Sequence, residues 1–249
     1  MKPRNLFWLC FLCWTSWAVG AEAQTEEETP EEKAELVVIG TETLVPIQGT
    51  KSVDGRFLVG WTIRPTKKTV PAVDWETWKR PFPEFFERYD WDEEGSAKAD
   101  YQIFNYALDR KNSKLLVLPT DWPYHTHKNR GHLLAKWGEP DGTNRYAVIA
   151  NDARFYTHNL WLVRVRGGQM EQTDLAGPLS DAVLLFLKKS KVRRAKAYGI
   201  FFPIDEGTRF NRDSMELPFL ASIPKSGDAV TGRIRFRLPD GRVVRIIAD

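Results

Sequence analysis

Short apolar runs alternate with tight polar turns along most of this chain. The turns use Asp with Pro, Gly or other polar residues: Pro suits the first corner, Asp bonds back to the backbone and Gly accepts a positive φ. They lie at 54–56, 109–113, 140–142 and 239–241. The flanking runs are rich in β-branched and aromatic residues, and we predict that they form hairpin strands: Phe57–Ile63, Tyr101–Leu108, Lys114–Leu118, His132–Trp137, Arg145–Ala150, Arg233–Leu238 and Arg242–Ile247.

One of these runs alternates strictly between arginine and apolar residues. Arginine stands at Arg233, Arg235 and Arg237, and each is followed by an apolar residue. A period of two places the arginines on one face of a strand and the apolar side chains on the other. The pattern predicts a half-buried strand with a solvated arginine face. An anion-binding face is the alternative.

A single prominent amphipathic helix is predicted at Ser180–Lys189. Apolar residues recur at intervals of three and four from Leu179 to Leu187, which produces one buried stripe. Pro178 suits the first turn, and the basic run Lys188–Arg194 suits a helix C-terminus. We expect that run to be a solvated helix end, with contact to anionic lipid or glycan as the alternative.

The stretch 132–175 is predicted to form four consecutive strands: His132–Trp137, Tyr146–Ala150, Leu160–Val165 and Gln169–Thr173. With its Pro-Asp-Gly turn and its Trp in the third strand, this stretch resembles one blade of a WD40-like or TolB-like β-propeller. Gly138-Glu139 precede the Pro-Asp-Gly turn here, and Arg164 stands where such blades carry an acid. The resemblance implies a four-stranded antiparallel meander.

Similar but less regular patterns flank this stretch on both sides, so we predict three meanders in the chain. The third combines 197–204 with 231–247 and has an insertion between them. A closed propeller usually has about four to eight blades, so three cannot close a ring alone. We therefore predict a mainly β fold of antiparallel meanders and hairpins, in an incomplete propeller-like or sandwich arrangement, with one prominent α-helix.

The first 23 residues have the order of a secretory signal peptide. Lys2 and Arg4 precede the uncharged apolar stretch Leu6–Val19, and Ala21 and Ala23 occupy the positions that a signal peptidase reads. The apolar stretch is shorter than the roughly 20 residues of a spanning helix. The pattern predicts cleavage after Ala23, no transmembrane segment after cleavage, and a periplasmic or secreted location.

The remainder divides into two parts by composition. Residues 24–34 are rich in Glu, Thr and Pro and are predicted to be a disordered acidic leader. Residues 35–249 are predicted to be a single β-rich domain with an insertion at about 66–100.

The number of cysteines and the net charge further restrict the class of protein to which the chain can belong. Cys10 and Cys13 are the only cysteines and both lie in the predicted signal, so the core alone must stabilise the exported domain. Of the 36 basic and 33 acidic residues, the signal contains Lys2, Arg4 and Glu22, which leaves a net charge of +2 on the rest. This balance argues against a general nucleic-acid binder.

The insertion carries the densest group of aromatic residues, interleaved with carboxylates. Rings beside carboxylates suit stacking on a sugar or anchoring in a protein interface. The predicted ligand-binding residues are Trp75, Trp78, Phe85, Phe86 and Trp91. The alternative is that these rings seal the insertion onto the sheet. A short helix is also predicted within it, at Pro83–Tyr89.

All four histidines lie between positions 125 and 158. On an extended segment His125 and His127 point to the same face. Together with Asp121 and His132 they form the predicted site for a bound zinc or similar divalent ion, the candidate cofactor. The alternative is an ordinary polar loop between two meanders.

Motifs of established catalytic classes are absent from the sequence: there is no Gly-x-Ser-x-Gly, no phosphate-binding glycine loop and no His-Glu-x-x-His. We therefore expect an exported binding or interaction protein of the bacterial envelope, with an envelope protein or a glycan as partner and no nucleic acid. A secreted metal-dependent or acid–base hydrolase that uses the histidine loop is the alternative. A structural subunit that pairs through open sheet edges is a third possibility.

Overall fold

The computed structural model describes residues 36–69, 71–72, 101–120, 130–140, 142–153, 156–223, 227–238 and 240–249, with the backbone alone at 101 and 130–132. The predicted signal, the leader, the helix at 83–89 and most of the insertion lie outside these residues. Within them the fold is mainly β, as predicted, with three antiparallel sheets and one α-helix.

The first sheet has five strands in chain order and is buried on both faces around its centre. The strands are β1 (Val37–Ile39), β2 (Glu42–Pro46), β3 (Phe57–Pro65), β4 (Tyr101–Asp109) and β5 (Lys114–Leu118). Val59 and Trp61 of β3 pack towards the second sheet. Leu58, which precedes Val59, packs with Tyr106 and with residues of β1 and β2. Because successive side chains point to opposite faces, the continuous apolar run of β3 supplies both cores.

The second sheet is the four-stranded antiparallel meander predicted for 132–175. Its strands are β6 (Arg130–Gly138), β7 (Arg145–Ala153), β8 (Thr157–Arg166) and β9 (Gln169–Asp174), in that order. Ala147 and Ile149 belong to the core shared with the first sheet, whereas Val148 and Ala150 belong to the core shared with the third sheet and the helix. The second sheet is therefore the middle layer. Its likeness to a propeller blade stays a prediction.

The third sheet contains two strands that the sequence did not predict. Its strands are β10 (Gly199–Phe201), β11 (Arg209–Phe210), β12 (Ser214–Ser222), β13 (Ala229–Arg237) and β14 (Val243–Ala248). The order is β10-β12-β13-β14, with β11 also beside β12. The predicted insertion between 204 and 231 was therefore wrong in part, because the two unpredicted strands, β11 and β12, lie inside it and β12 is a central strand.

The proline in β12 explains why this strand escaped prediction. Pro218 has no backbone N–H, so it is typical of edge strands rather than central ones. On one side of β12, however, β10 pairs only with residues 220–222 and β11 only with residues 215–216. Pro218 lies opposite the gap between these two short strands, where proline is tolerated as it is at an edge.

The predicted alternation in β13 is confirmed. Ile234 and Phe236 are fully buried, Arg233 and Arg237 are exposed, and Arg235 is half-buried. The apolar face packs into the core that the third sheet shares with the helix and the second sheet. The arginines are left on the outer face.

The helix, α1 (Ala176–Lys189), begins at Ala176 rather than at the predicted Ser180, because the carboxylate of Asp174 accepts a hydrogen bond from the Ala176 N–H at 2.9 Å. Its buried stripe is Leu179, Val183 and Leu187. Lys191 follows the helix with a φ of 58°, and the N–H of Val192 bonds the Leu187 carbonyl at 3.0 Å. This is a helix-ending turn in which glycine is usual. The basic run is thus a helix end followed by a tight turn.

Candidate functional site

The first and second sheets share a core, and their common stack has two different ends. At one end, which we name the tight-turn end, the strands are joined by short turns at 110–113, 139–144 and 167–168. At the other, which we name the long-segment end, the chain leaves β3 after Pro65 and returns at Tyr101, and it leaves β5 after Leu118 and returns at Arg130. The short connection between β7 and β8 also lies there, since Asn151 and Asn159 are register partners.

Most of the predicted site residues lie outside the described part of the chain. These are the rings Trp75, Trp78, Phe85, Phe86 and Trp91 and the predicted metal ligands Asp121, His125 and His127. His132 is described by its backbone, in β6, as the register partner of Asp152 in β7. Both stretches that hold the other residues join the sheets at the long-segment end, so the polar groups described at that end bear directly on the predicted sites.

Three polar residues are hydrogen-bonded to one another between the first and second sheets at the long-segment end, and we name them the amide cluster: Thr120, Asn151 and Asn159. The Thr120 hydroxyl donates to Asn159 Oδ1 at 2.7 Å and accepts from Asn151 Nδ2 at 2.9 Å. Asn151 is 1% exposed. The cluster therefore links β7 and β8 of the second sheet to the end of β5 in the first.

Asn105 lies in the first sheet, at the middle of β4 and opposite the last residue of β5. It is 1% exposed, and its register partners Trp61 and Leu118 both belong to the core between the two sheets. Thr120 lies two residues beyond Leu118, so it is the diagonal neighbour of Asn105 on the same face. Among the described residues, neither Oδ1 nor Nδ2 of Asn105 has a hydrogen-bond partner. A buried amide in this state costs about 1–3 kcal/mol, so it calls for an explanation.

Asp152 occupies the other face of the second sheet at the same end. Thr157 donates its hydroxyl to Asp152 Oδ1 at 2.6 Å and accepts from the Phe202 N–H at 2.8 Å. The other oxygen, Oδ2, is buried and has no partner within the described part of the structure. Burial raises the pKa of Asp152 to about 7, although the bond from Thr157 lowers it. This carboxyl group therefore changes its protonation state near neutral pH.

At the tight-turn end the described carboxylates are paired with arginines. Arg56 binds the fully buried Asp109 through two bonds, Nε to Oδ1 at 2.9 Å and Nη2 to Oδ2 at 2.7 Å. Burial has the largest single effect and would raise the pKa of Asp109, but the bonds from Arg56 and Asn112 together outweigh it and the pKa is lowered. Arg145 binds both Asp54, at 2.6 Å, and Glu139. The bond from Arg145, followed by that from Ser52, lowers the pKa of Asp54 to about 2.

An aromatic pair completes the tight-turn end. Phe57 stacks on Trp137 with ring centroids 5.0 Å apart, and the guanidinium carbons of Arg56 and Arg145 lie 4.5 and 4.8 Å from the Phe57 centroid. The Trp137 Nε1–H donates to the Thr50 carbonyl at 2.8 Å. This end therefore joins the first and second sheets through mutually satisfied contacts, which are structural in character.

The amide cluster, Asn105 and Asp152 were not among the residues predicted from the sequence. The available signal was a polar residue that interrupts a long apolar strand: Asn105 within β4, and Asn151 and Asp152 near the end of β7. Such an interruption becomes informative only when both faces of the strand are buried, because polar residues are otherwise expected on the solvent face.

Within the described residues, no group of three or more His, Cys, Asp or Glu side chains is arranged to hold a metal ion. Their helix is also too short to cross a membrane. Comparisons of the chain with protein-family models, curated proteins and solved structures found no match.

Proposed function

We propose that this protein is an exported binding protein of the bacterial envelope, with its ligand site at the long-segment end. The observation that carries the proposal is the buried, unpartnered carboxamide of Asn105 beside the amide cluster. Natural proteins rarely leave both atoms of a buried amide without a partner. A ligand that enters from this end offers such a partner.

The chemistry at this end fits a glycan better than a charged ligand. A carboxamide both donates and accepts, as a sugar hydroxyl does. The insertion joins the sheet at Pro65 and Tyr101, and it contains the five predicted binding rings, Trp75, Trp78, Phe85, Phe86 and Trp91. Aromatic rings and amides together are well suited to a sugar, which presents apolar ring faces and hydroxyl edges. An envelope protein is the other partner class.

The test compares two variants on a panel of envelope glycans, with binding measured by calorimetry. In Trp75→Ala/Trp78→Ala we expect binding to be lost and the melting temperature to stay nearly unchanged. A large fall in melting temperature would mean that the rings form core. In Asn105→Leu we expect weaker binding together with a higher melting temperature. Wild-type binding retained in both variants would refute the proposed site.

A metal-dependent or acid–base hydrolase is the second candidate, and one observation favours it. His132 is the register partner of Asp152, whose carboxyl titrates near neutral pH as a general acid or base must. Asp121, His125, His127 and His132 would be the metal ligands in this candidate. Metal analysis of the purified protein tests it: a stoichiometric ion that is lost in His125→Ala/His127→Ala favours the hydrolase. A metal-free wild type removes its metal-dependent form.

A further inference from the structure

The outer face of the third sheet presents a band of arginines that is independent of the long-segment end. We name it the arginine face; its members, from β11, β13 and β14, are Arg209, Arg233, Arg235, Arg237 and Arg245. Four of them are exposed and Arg235 is half-buried. The opposite face of the same strands packs on the helix and the second sheet, so these side chains line the free side of the sheet.

Strand register brings the charges into one row. Arg209 pairs with Glu216, Glu216 with Arg235, and Arg235 with Arg245, across four adjacent strands. Glu216 accepts two bonds from Arg235, at 2.5 and 3.0 Å. Arg245 therefore stands directly opposite an arginine, and like charges in that position destabilise a sheet. A negatively charged surface lying on this face would relieve the repulsion.

Three acidic residues accompany the five arginines on this face: Glu216, Asp240 and Asp249, whose N–H bonds the carbonyl of Thr231, two residues before Arg233. Glu216 binds Arg235, and Asp240 binds Arg237 at the β13–β14 turn. No ion pair joins Arg209, Arg233 or Arg245 to any acid in the described part of the chain. The arginine face thus keeps a local excess of positive charge, although the whole chain carries a formal net charge of only +3.

Apolar side chains lie exposed beside these arginines on the edge strand β14. Ile247 is 44% exposed and is the register partner of Arg233. Val244, at the irregularity between β13 and β14, is 61% exposed. Guanidinium groups bind phosphates through paired bonds, and neighbouring apolar side chains add affinity for an acyl boundary.

We propose that the arginine face docks on a membrane surface through the phosphate groups of anionic phospholipids, with Ile247 and Val244 at the acyl boundary. The charge complementarity of the face and the apolar edge beside it carry this inference. It does not rest on the proposed glycan site, which lies elsewhere in the fold.

The experiment measures sedimentation of the full chain with phosphatidylcholine vesicles, with and without phosphatidylglycerol. The predicted signal segment is common to all variants, so binding to the uncharged vesicles is subtracted as the baseline. We expect binding to the anionic vesicles that weakens with added salt. Each arginine near such a surface contributes about fivefold, so Arg233→Gln/Arg245→Gln should bind about 30-fold more weakly. Val244→Ser/Ile247→Ser should lose affinity at low and high salt alike.

The matched control is Lys111→Gln/Lys114→Gln, which removes the same charge from exposed positions at the β4–β5 turn of the first sheet. It should bind within about twofold of wild type, because screening confines the attraction to a Debye length. Equal losses in the two double variants would mean that net charge alone drives binding, and the docking face would be refuted. Absence of wild-type binding, or binding to DNA but not to vesicles, would refute it as well.

Discussion

The two ends of the stacked first and second sheets differ in how completely their buried polar side chains are hydrogen-bonded. At the tight-turn end, Asp109 and Asp54 are each bonded by an arginine of a neighbouring segment. At the long-segment end, Asn105 and Asp152 keep buried atoms without partners among the described residues. Complete pairing stabilises and rigidifies a structure, whereas incomplete pairing is unfavourable unless something else completes it. The difference indicates a structural role for the tight-turn end and supports the proposal that the long-segment end binds a ligand.

The largest effect is expected from Asp109→Asn at the tight-turn end. The new amide places a donor against the donors of Arg56 and leaves a mostly buried guanidinium without its counter-charge. Breaking such a pair costs about 3 kcal/mol, measured as the free energy of unfolding in urea. Glu171→Gln, which breaks the exposed pair with Arg164, is the control and should change stability by less than about 0.5 kcal/mol. Equal effects of the two substitutions would show that the Arg56–Asp109 pair contributes no more to stability than an exposed ion pair.

The pH dependence of stability tests Asp152. Its pKa is raised from 3.8 to about 7, so the folded state holds the proton more tightly than the unfolded state. The stabilisation is fully present below about pH 4 and is lost as the pH rises through about 7, with an upper limit of about 4 kcal/mol. Urea unfolding at about pH 5 and about pH 8 should show this loss in the wild type and not in Asp152→Asn. Parallel curves for the two proteins would contradict it.

Asn105→Leu should stabilise the protein. The substitution replaces an unpartnered buried amide with an apolar group of similar size, which should raise the free energy of unfolding by about 1–2 kcal/mol. Asn112→Leu is the matched change at the tight-turn end, where the Asn112 amide donates to Asp109 Oδ2 at 2.9 Å. That control should destabilise. If both substitutions destabilise the protein, the Asn105 amide has hydrogen-bond partners in solution. The two ends would then not differ in how completely their buried polar groups are bonded.

Asp54→Asn is expected to have the smallest effect. Its side chain is 45% exposed, so solvent screens the bond from Arg145 and the loss should be about 0.5 kcal/mol. Because the pKa of Asp54 is lowered to about 2, its contribution is present above the unfolded value of 3.8 and is lost as the pH falls towards 2. Thermal melts at about pH 7 and about pH 3 should therefore differ less in the variant than in the wild type. A loss as large as that of Asp109→Asn would show that Asp54 is not screened.

Features with local causes were predicted well. The hairpins of β13–β14 and β6–β7 follow from turn residues and from period-two patterns, both of which act within a few residues. The buried stripe of the helix is local in the same sense, although Asp174 moved its start to Ala176. The strand β12 was not predicted, for the opposite reason. Pro218 is an unfavourable local signal, and only the gap between β10 and β11 makes it acceptable.

The candidate site lay beyond local patterns. Asn105 interrupts the apolar run of β4, whose two faces cannot be told apart until the register of β3 and β5 is known. Asn151 and Asn159 are eight residues apart and belong to different strands, and Thr120 follows a third. No spacing rule connects them, because their meeting depends on how two sheets stack.

By itself the sequence determined a mainly β chain, the positions of most turns and strands, one helix with its buried stripe, and an arginine face on β13. These follow from backbone preferences and side-chain periodicity, which are properties of neighbouring residues. The tertiary structure alone decided that the second sheet is the middle layer, that Arg235 faces Arg245, and that Asn105 and Asp152 are buried at the same end. Those outcomes depend on strand register and sheet stacking, and both are set by the burial of the whole core rather than by any one segment.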